Sequence, residues 1–224
     1  VKGKKYYYEE YNGSTMFMVS NSLEANESNI KTRFYFDKDD NLLVPFRTWR
    51  NTITGEASAK LSKIFNYPVP ERWSVSHLYQ AVLNKEEHIS KLQNVYTLSA
   101  YIHYKLTGNK VIGVGDASGM FPVILSKDGK SADYNPDFIE KFQNLPEIKA
   151  LSNSSFTIPN LFPKVLMAGE NAGTLTTNGA KFLDPTGELE AGIPFCPPEG
   201  DAGTGMAATN AVAVKTGNIS AGTS

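Results

Sequence analysis

Apolar positions change their spacing twice along this chain, and the changes divide it into three stretches. From Val1 to about Phe36 the pattern is that of short strands. Lys5-Tyr-Tyr-Tyr-Glu-Glu-Tyr and Thr15-Met-Phe-Met-Val concentrate aromatic and β-favouring residues. Asn12-Gly13 between them is a tight-turn dipeptide, so the two runs are expected to form a hairpin. Ile30 to Phe36 predicts a further strand, closed by the polar turn Asp37-Lys-Asp-Asp-Asn.

From Asn51 to about Leu145 the spacing becomes helical. Ala57, Leu61, Ile64 and Phe65 recur at helical intervals and stop at Asn66, ahead of Pro68 and Pro70. Ser74 is placed to cap a helix through Val75, Leu78, Tyr79 and Val82. Val95, Leu98, Tyr101, Ile102 and Leu106 predict a third helix, ended by Gly108. Asn135-Pro136 supplies a cap and a first-turn proline ahead of Phe138, Ile139 and Phe142. The last third, Leu151 to Ser224, returns to short apolar runs among loops rich in Pro, Gly, Thr and Asn. One Ala-dense helix is expected there, from Thr204 to about Val214. Strands, then helices, then mixed segments predict an α/β or α+β domain with a helix-rich insertion.

Composition narrows the class. With 224 residues the chain can bury one large core or two small ones, and 41% hydrophobic against 20% charged residues is the balance of a globular protein. Lys and Arg number 22 against 23 Asp and Glu, a net charge of −1. No basic field exists to gather nucleic acid or an anionic membrane, so a small-molecule partner is expected. Cys196 is the only cysteine, which rules out an intrachain disulfide and fits a reducing cytoplasm. The basic start Val1-Lys-Gly-Lys-Lys-Tyr is not followed by an apolar secretory segment, and no apolar run is long enough to span a bilayer.

Candidate chemistry concentrates in Phe195-Cys-Pro-Pro-Glu-Gly-Asp-Ala-Gly-Thr-Gly-Met. Gly200 and Gly203 allow the backbone to approach a ligand. Asp201 stands at the mouth of the Ala-rich helix, where it has two readings. It is either an N-terminal cap or a general base that takes a proton from a substrate hydroxyl while the helix end faces phosphate charge. Val44-Pro-Phe-Arg-Thr-Trp-Arg-Asn offers a sugar platform: the Trp49 indole against C–H groups, with Arg47 and Arg50 donating to hydroxyls. The same pattern is met by a half-buried Trp with two surface arginines. In Glu71-Arg-Trp-Ser-Val-Ser-His, Arg72 or His77 could face a ligand, while Ser74 as a cap is a sufficient structural account. His88 and His103 read as surface or helix-face residues. Three scattered His and one Cys give no metal-ligand spacing. Gly113-Val-Gly-Asp-Ala-Ser-Gly lacks the Lys-Ser/Thr of a Walker loop and reads as a turn held by Asp116 and Ser118.

Five segments in order resemble the FGGY family of carbohydrate kinases, over about Asp37 to Ser224. They are Leu42-Leu-Val-Pro-Phe-Arg-Thr-Trp-Arg-Asn; Tyr101-Ile-His-Tyr-Lys-Leu-Thr-Gly with Gly115-Asp-Ala-Ser; Ala168-Gly-Glu-Asn-Ala-Gly-Thr-Leu-Thr; Gly192-Ile-Pro-Phe with Glu199-Gly-Asp-Ala-Gly; and Gly217-Asn-Ile-Ser-Ala-Gly-Thr-Ser. The resemblance implies an α/β fold of ribonuclease-H-like, actin and hexokinase type, with a mixed sheet and a helix-rich insertion. It implies an atypical β-rich segment over 1–36, a sugar-binding domain over 37–215, and the start of an ATP-binding domain over 216–224. Asp201 matches the family's catalytic base, and Trp49 matches a position that packs on the sugar. Arg72 and His77 fall in a helix-start segment that lines the sugar pocket. Gly222 and Thr223 match a turn that approaches the ATP phosphates. The implied substrates are ATP, with Mg²⁺, and a pentulose such as xylulose.

Two departures qualify this. The family's opening Asp-x-Gly-Thr/Ser loop is met only by Tyr11-Asn-Gly-Ser-Thr, without its Asp, and Lys31-Thr-Arg-Phe-Tyr-Phe stands where relatives carry a Met-His-Gly type of run. The chain also stops where the nucleotide domain is expected to begin. Because phosphoryl transfer depends on charge placed around the γ-phosphate, the chain alone is expected to be inactive. Two other classes stay open: a sugar-binding module without catalysis, and a structural or regulatory partner. A homodimer is a candidate assembly, because the aromatic strand Lys5 to Tyr11 offers an edge for pairing.

Overall fold

The computed structural model describes residues 7–11, 14–18, 32–45, 47–48, 52–151, 155–211, 213, 215–217 and 219. In chain order its elements are β1 (Tyr7–Tyr11), β2 (Ser14–Met18), β3 (Thr32–Phe36), β4 (Arg47–Thr48), α1 (Gly55–Phe65), α2 (Ser74–Leu83), β5 (Asn94–Thr97) and α3 (Leu98–Thr107). There follow β6 (Val111–Gly113), α4 (Val114–Ala117), β7 (Val123–Leu125), β8 (Ala132–Tyr134), α5 (Pro136–Gln143) and α6 (Pro146–Lys149). The last are α7 (Ile158–Leu161), β9 (Lys164–Leu166), α8 (Thr177–Leu183) and α9 (Asp201–Ala208). The architecture is α/β, divided into two units: Val1–Leu98 with Asn144–Leu161, and Ser99–Gln143 with Phe162–Ser224.

In the first unit, β1 and β2 pair antiparallel from Tyr7 opposite Met18 to Tyr11 opposite Ser14. The hairpin is as predicted, although its Asn12-Gly13 turn lies outside the described residues. A separate three-stranded antiparallel sheet runs in the order β4-β3-β5, and Tyr35, Phe36, Val95 and Tyr96 are buried on it. The Asp37–Asn41 turn closes β3 as expected, with the Asp37 carboxylate accepting from the Asp39 and Asn41 N–H groups at 2.8 and 2.9 Å.

Helix α1 buries Ala57, Leu61 and Phe65, and stops where predicted because Asn66 adopts φ 50°, the left-handed C-terminal position that Asn tolerates. Two readings change here. Ser74 is the first helical residue and not the cap, a position taken by Trp73 in an extended conformation. Val95 belongs to β5, not to a helix: α3 begins at Leu98, directly after the strand. No Gly or Pro separates the two elements, so the sequence carries no punctuation at the switch.

In the second unit, β6 and β9 pair in parallel, with Ile112 opposite Val165, and β7 and β8 form a hairpin. The Tyr134 ring packs edge-on against Phe121 and Phe162, with centroids 6.1 and 5.7 Å apart. Its hydroxyl donates to the Pro163 carbonyl at 3.1 Å, so the buried oxygen is satisfied. Asn135 caps α5 as predicted, accepting from Asp137 N–H at 3.0 Å. Thr176 caps α8: its hydroxyl accepts from Gly179 N–H and donates to the Leu106 carbonyl, both at 2.9 Å.

The final helix lies earlier than expected, at Asp201–Ala208 and not Thr204 to Val214. Its Ala content would allow continuation, but Asn210 turns left-handed (φ 52°), and Ala211 N–H bonds back to the Met206 carbonyl at 2.9 Å, closing the end. Among the described residues, no helix is long and apolar enough to cross a membrane.

Candidate active site

The Pro198-Glu-Gly-Asp turn is built on the strand β6 and the short helix α4. Gly113 N–H, at the end of β6, donates to the Pro198 carbonyl at 2.8 Å. One residue on, the Glu199 carboxylate accepts from Gly115 N–H at 3.0 Å and Asp116 N–H at 2.9 Å. These are first-turn amides of α4, which have no partner within their own helix. Three glycines make room for this carboxylate. A Cβ on Gly113 would overlap it, one on Gly115 would lie 2.6 Å from Oε2, and one on Gly203 would lie 3.2 Å from Oε2. Gly203, expected to admit a ligand, instead admits Glu199. Burial pushes the Glu199 carboxyl up from the ordinary glutamate range, while its bonds to Gly115 and Asp116 N–H pull it down and the nearby Asp116 charge pushes it up.

Asp201 is the first residue of α9. Gly200 occupies the cap position with an extended φ of −74° and ψ of 176°, so the helix has no side-chain cap and the capping reading of Asp201 is not met. Asp201 is exposed at the positive end of the helix. Close by, the Ser118 hydroxyl donates to the Gly115 carbonyl at 2.6 Å, as the turn reading required. The Asp116 carboxylate receives the Ser99 hydroxyl.

The other described candidates, Arg47, Arg72 and His77, belong to the first unit. Arg47 forms an ion pair with Glu86 and lies over the Tyr35 ring, 5.8 Å from its centroid. Its side chain is only 13% exposed, so it is no surface arginine. His77 is fully buried in the first turn of α2, and Arg72, just ahead of that helix, is exposed. His88 and His103 are also buried, contrary to the surface reading. Burial lowers the pKa of each, and His103 Nε2 lies 3.0 Å from the Ala172 carbonyl oxygen. Trp49, Arg50, Gly222 and Thr223 lie outside the described residues.

Comparison with solved structures shows where this fold recurs. The chain superposes on a xyloylose kinase from Brucella ovis with a TM-score of 0.59 and 16% identity. The chain shares its fold with part of this kinase. A ligand-bound xylulose kinase and a gluconate kinase, both from Lactobacillus acidophilus, match the same fold with TM-scores of 0.58 and 0.59, each at 16% identity. In all three, 80% of this chain is covered, and the chain spans 34% of the matched structure. No protein-family model and no curated relative matches the sequence. At this level of identity the resemblance to FGGY kinases is met as a likeness of fold.

Glu199 is the residue that sequence reasoning missed. The signal was present as glycines in two distant segments, Gly113 and Gly115 in one and Gly203 in the other. Their common cause is visible only when both segments are brought to the same carboxylate.

Proposed function

We propose that this chain supplies the sugar site and the catalytic base for ATP-dependent phosphorylation of a sugar, in a longer protein of ribonuclease-H-like architecture. A pentulose such as xylulose is the preferred substrate. The observation that carries the reading is the fold shared with part of these kinases together with an exposed Asp201 at the start of α9. In this mechanism Asp201 accepts the proton of a sugar hydroxyl as that oxygen bonds to the terminal phosphorus of ATP, and the bond to ADP breaks. The positive helix end beside it suits the charge of the moving phosphoryl group.

Trp49, Arg47 and Arg72 are proposed for the sugar, and Gly222 and Thr223 for the nucleotide phosphates; His77, fully buried in α2, is not among them. Among the described residues, no three acidic, histidine or cysteine groups converge to hold a metal ion. Mg²⁺ that travels with a nucleotide needs only one or two carboxylates besides the phosphates, so it would be supplied here together with ATP.

Thermal unfolding of the chain tests the reading, using a panel of pentuloses and hexuloses, each with and without MgATP. A ligand that binds only the folded state raises the midpoint. A rise with one ketose supports the sugar site. No rise with any ketose overturns it.

A further inference from the structure

The turn that carries Asp201 is tied to α4 by the Glu199 side chain. Glu199 reaches back from it to α4 and accepts two N–H groups, at 3.0 and 2.9 Å. The Pro198 carbonyl accepts a third, from Gly113. Charge-assisted bonds of this kind are the strong class of hydrogen bond. Gly113, Gly115 and Gly203 leave the carboxylate just enough space, and Gly203 belongs to α9 itself. Glu199 therefore touches the helix that begins with Asp201 on one side and α4 on the other. Gly200, the one residue between Glu199 and Asp201, sits against Asp116, where an added Cβ would lie 3.7 Å from Oδ1.

We infer that Glu199 is a positioning residue: its carboxylate locks the start of α9 to α4 and so fixes where Asp201 stands. The inference rests on the proposed role of Asp201 as base. A base must sit within hydrogen-bond reach of the hydroxyl it deprotonates, so a small displacement of its helix costs rate and affinity out of proportion to stability. Nothing in the arrangement brings Glu199 to the reacting atoms. It acts through Asp201.

The test is a carboxyl and amide NMR titration of the chain, labelled at Asp, Glu and Gly, with ketose affinity measured on the same samples. In the wild type, the Gly115 and Asp116 amide protons should follow the ionisation of Glu199. In Glu199→Gln that dependence should vanish, and the Asp201 carboxyl midpoint should move. The dissociation constant of the ketose that stabilises the wild type should rise about tenfold. Gly203→Ala crowds the carboxylate without removing its charge, and should shift Asp201 in the same sense by less. The wild-type titration keeps the inference exposed even if a variant does not fold. Flat Gly115 and Asp116 amides, or an Asp201 midpoint identical in all folded forms, would overturn it. If Asp201 responds to Glu199 but no ketose binds any form, the lock stands and the sugar-kinase reading falls.

Discussion

Glu199 and Asp201 stand two residues apart in opposite surroundings, one half-buried among backbone amides and the other exposed at a helix start. Because burial raises the Glu199 carboxyl in the folded chain, its contribution to stability is full below the ordinary glutamate value of 4.5 and is lost as pH rises through the folded value. The unfolding midpoint of Glu199→Gln should therefore gain on the wild type as pH rises above 4.5, which calorimetry at stepped pH would show. Replacing Asp201 by Asn should cost α9 no more than about 1 kcal/mol. In the proposed parent enzyme it should lower phosphoryl transfer by about 10²–10⁴-fold. Equal losses of stability and activity would argue that Asp201 is structural. A double-mutant cycle isolates the lock: Gly113→Ala should destabilise the wild type clearly, and much less when Glu199 is already Ala. A coupling of at least about 1 kcal/mol is expected in urea unfolding.

Among the elements, α8 depends most on one small residue. A Cβ on Gly179 would overlap the Leu106 carbonyl oxygen of α3, a backbone atom that no rotamer change can clear. Gly179→Ala should cost about 1–3 kcal/mol, measurable as a fall in the denaturation midpoint. Thr176→Ala, which removes the cap of the same helix, should cost about 1 kcal/mol. The elements that could be read from sequence were those with a local cause. Helix α1 has a clean apolar stripe and an Asn stop, and α5 has its Asn-Pro start. Those misread had causes outside the local pattern. The β5–α3 switch is unpunctuated, and β5 is a strand because it pairs with β3. The early end of α9 depends on Asn210, whose left-handed turn overrides the helix propensity of the Ala-rich run before it.

At the scale of the molecule, each unit holds a buried histidine whose pKa burial lowers, His88 in the first and His103 in the second. Burial disfavours the charged imidazole, so the stability each contributes is present above the ordinary value of 6.5 and is lost as pH falls through the folded value. The unfolding midpoint should decline below about pH 6.5. His103→Gln, which can still donate to the Ala172 carbonyl, should flatten that decline in scanning calorimetry. The class of fold was legible because its five segments kept their order. Of the candidate site, Asp201 was legible as an acid at the mouth of a helix, whereas Glu199 was not, since its partners arise from a turn far away in sequence.

The glycines around Glu199 also constrain how such a chain can vary over generations. Gly113, Gly115 and Gly203 are each kept small by the same carboxylate. While that carboxylate stays, any side chain gained at one of these positions meets it. In a lineage that exchanged Glu199 for a shorter residue, all three would be released together, and each could then gain a side chain independently of the others.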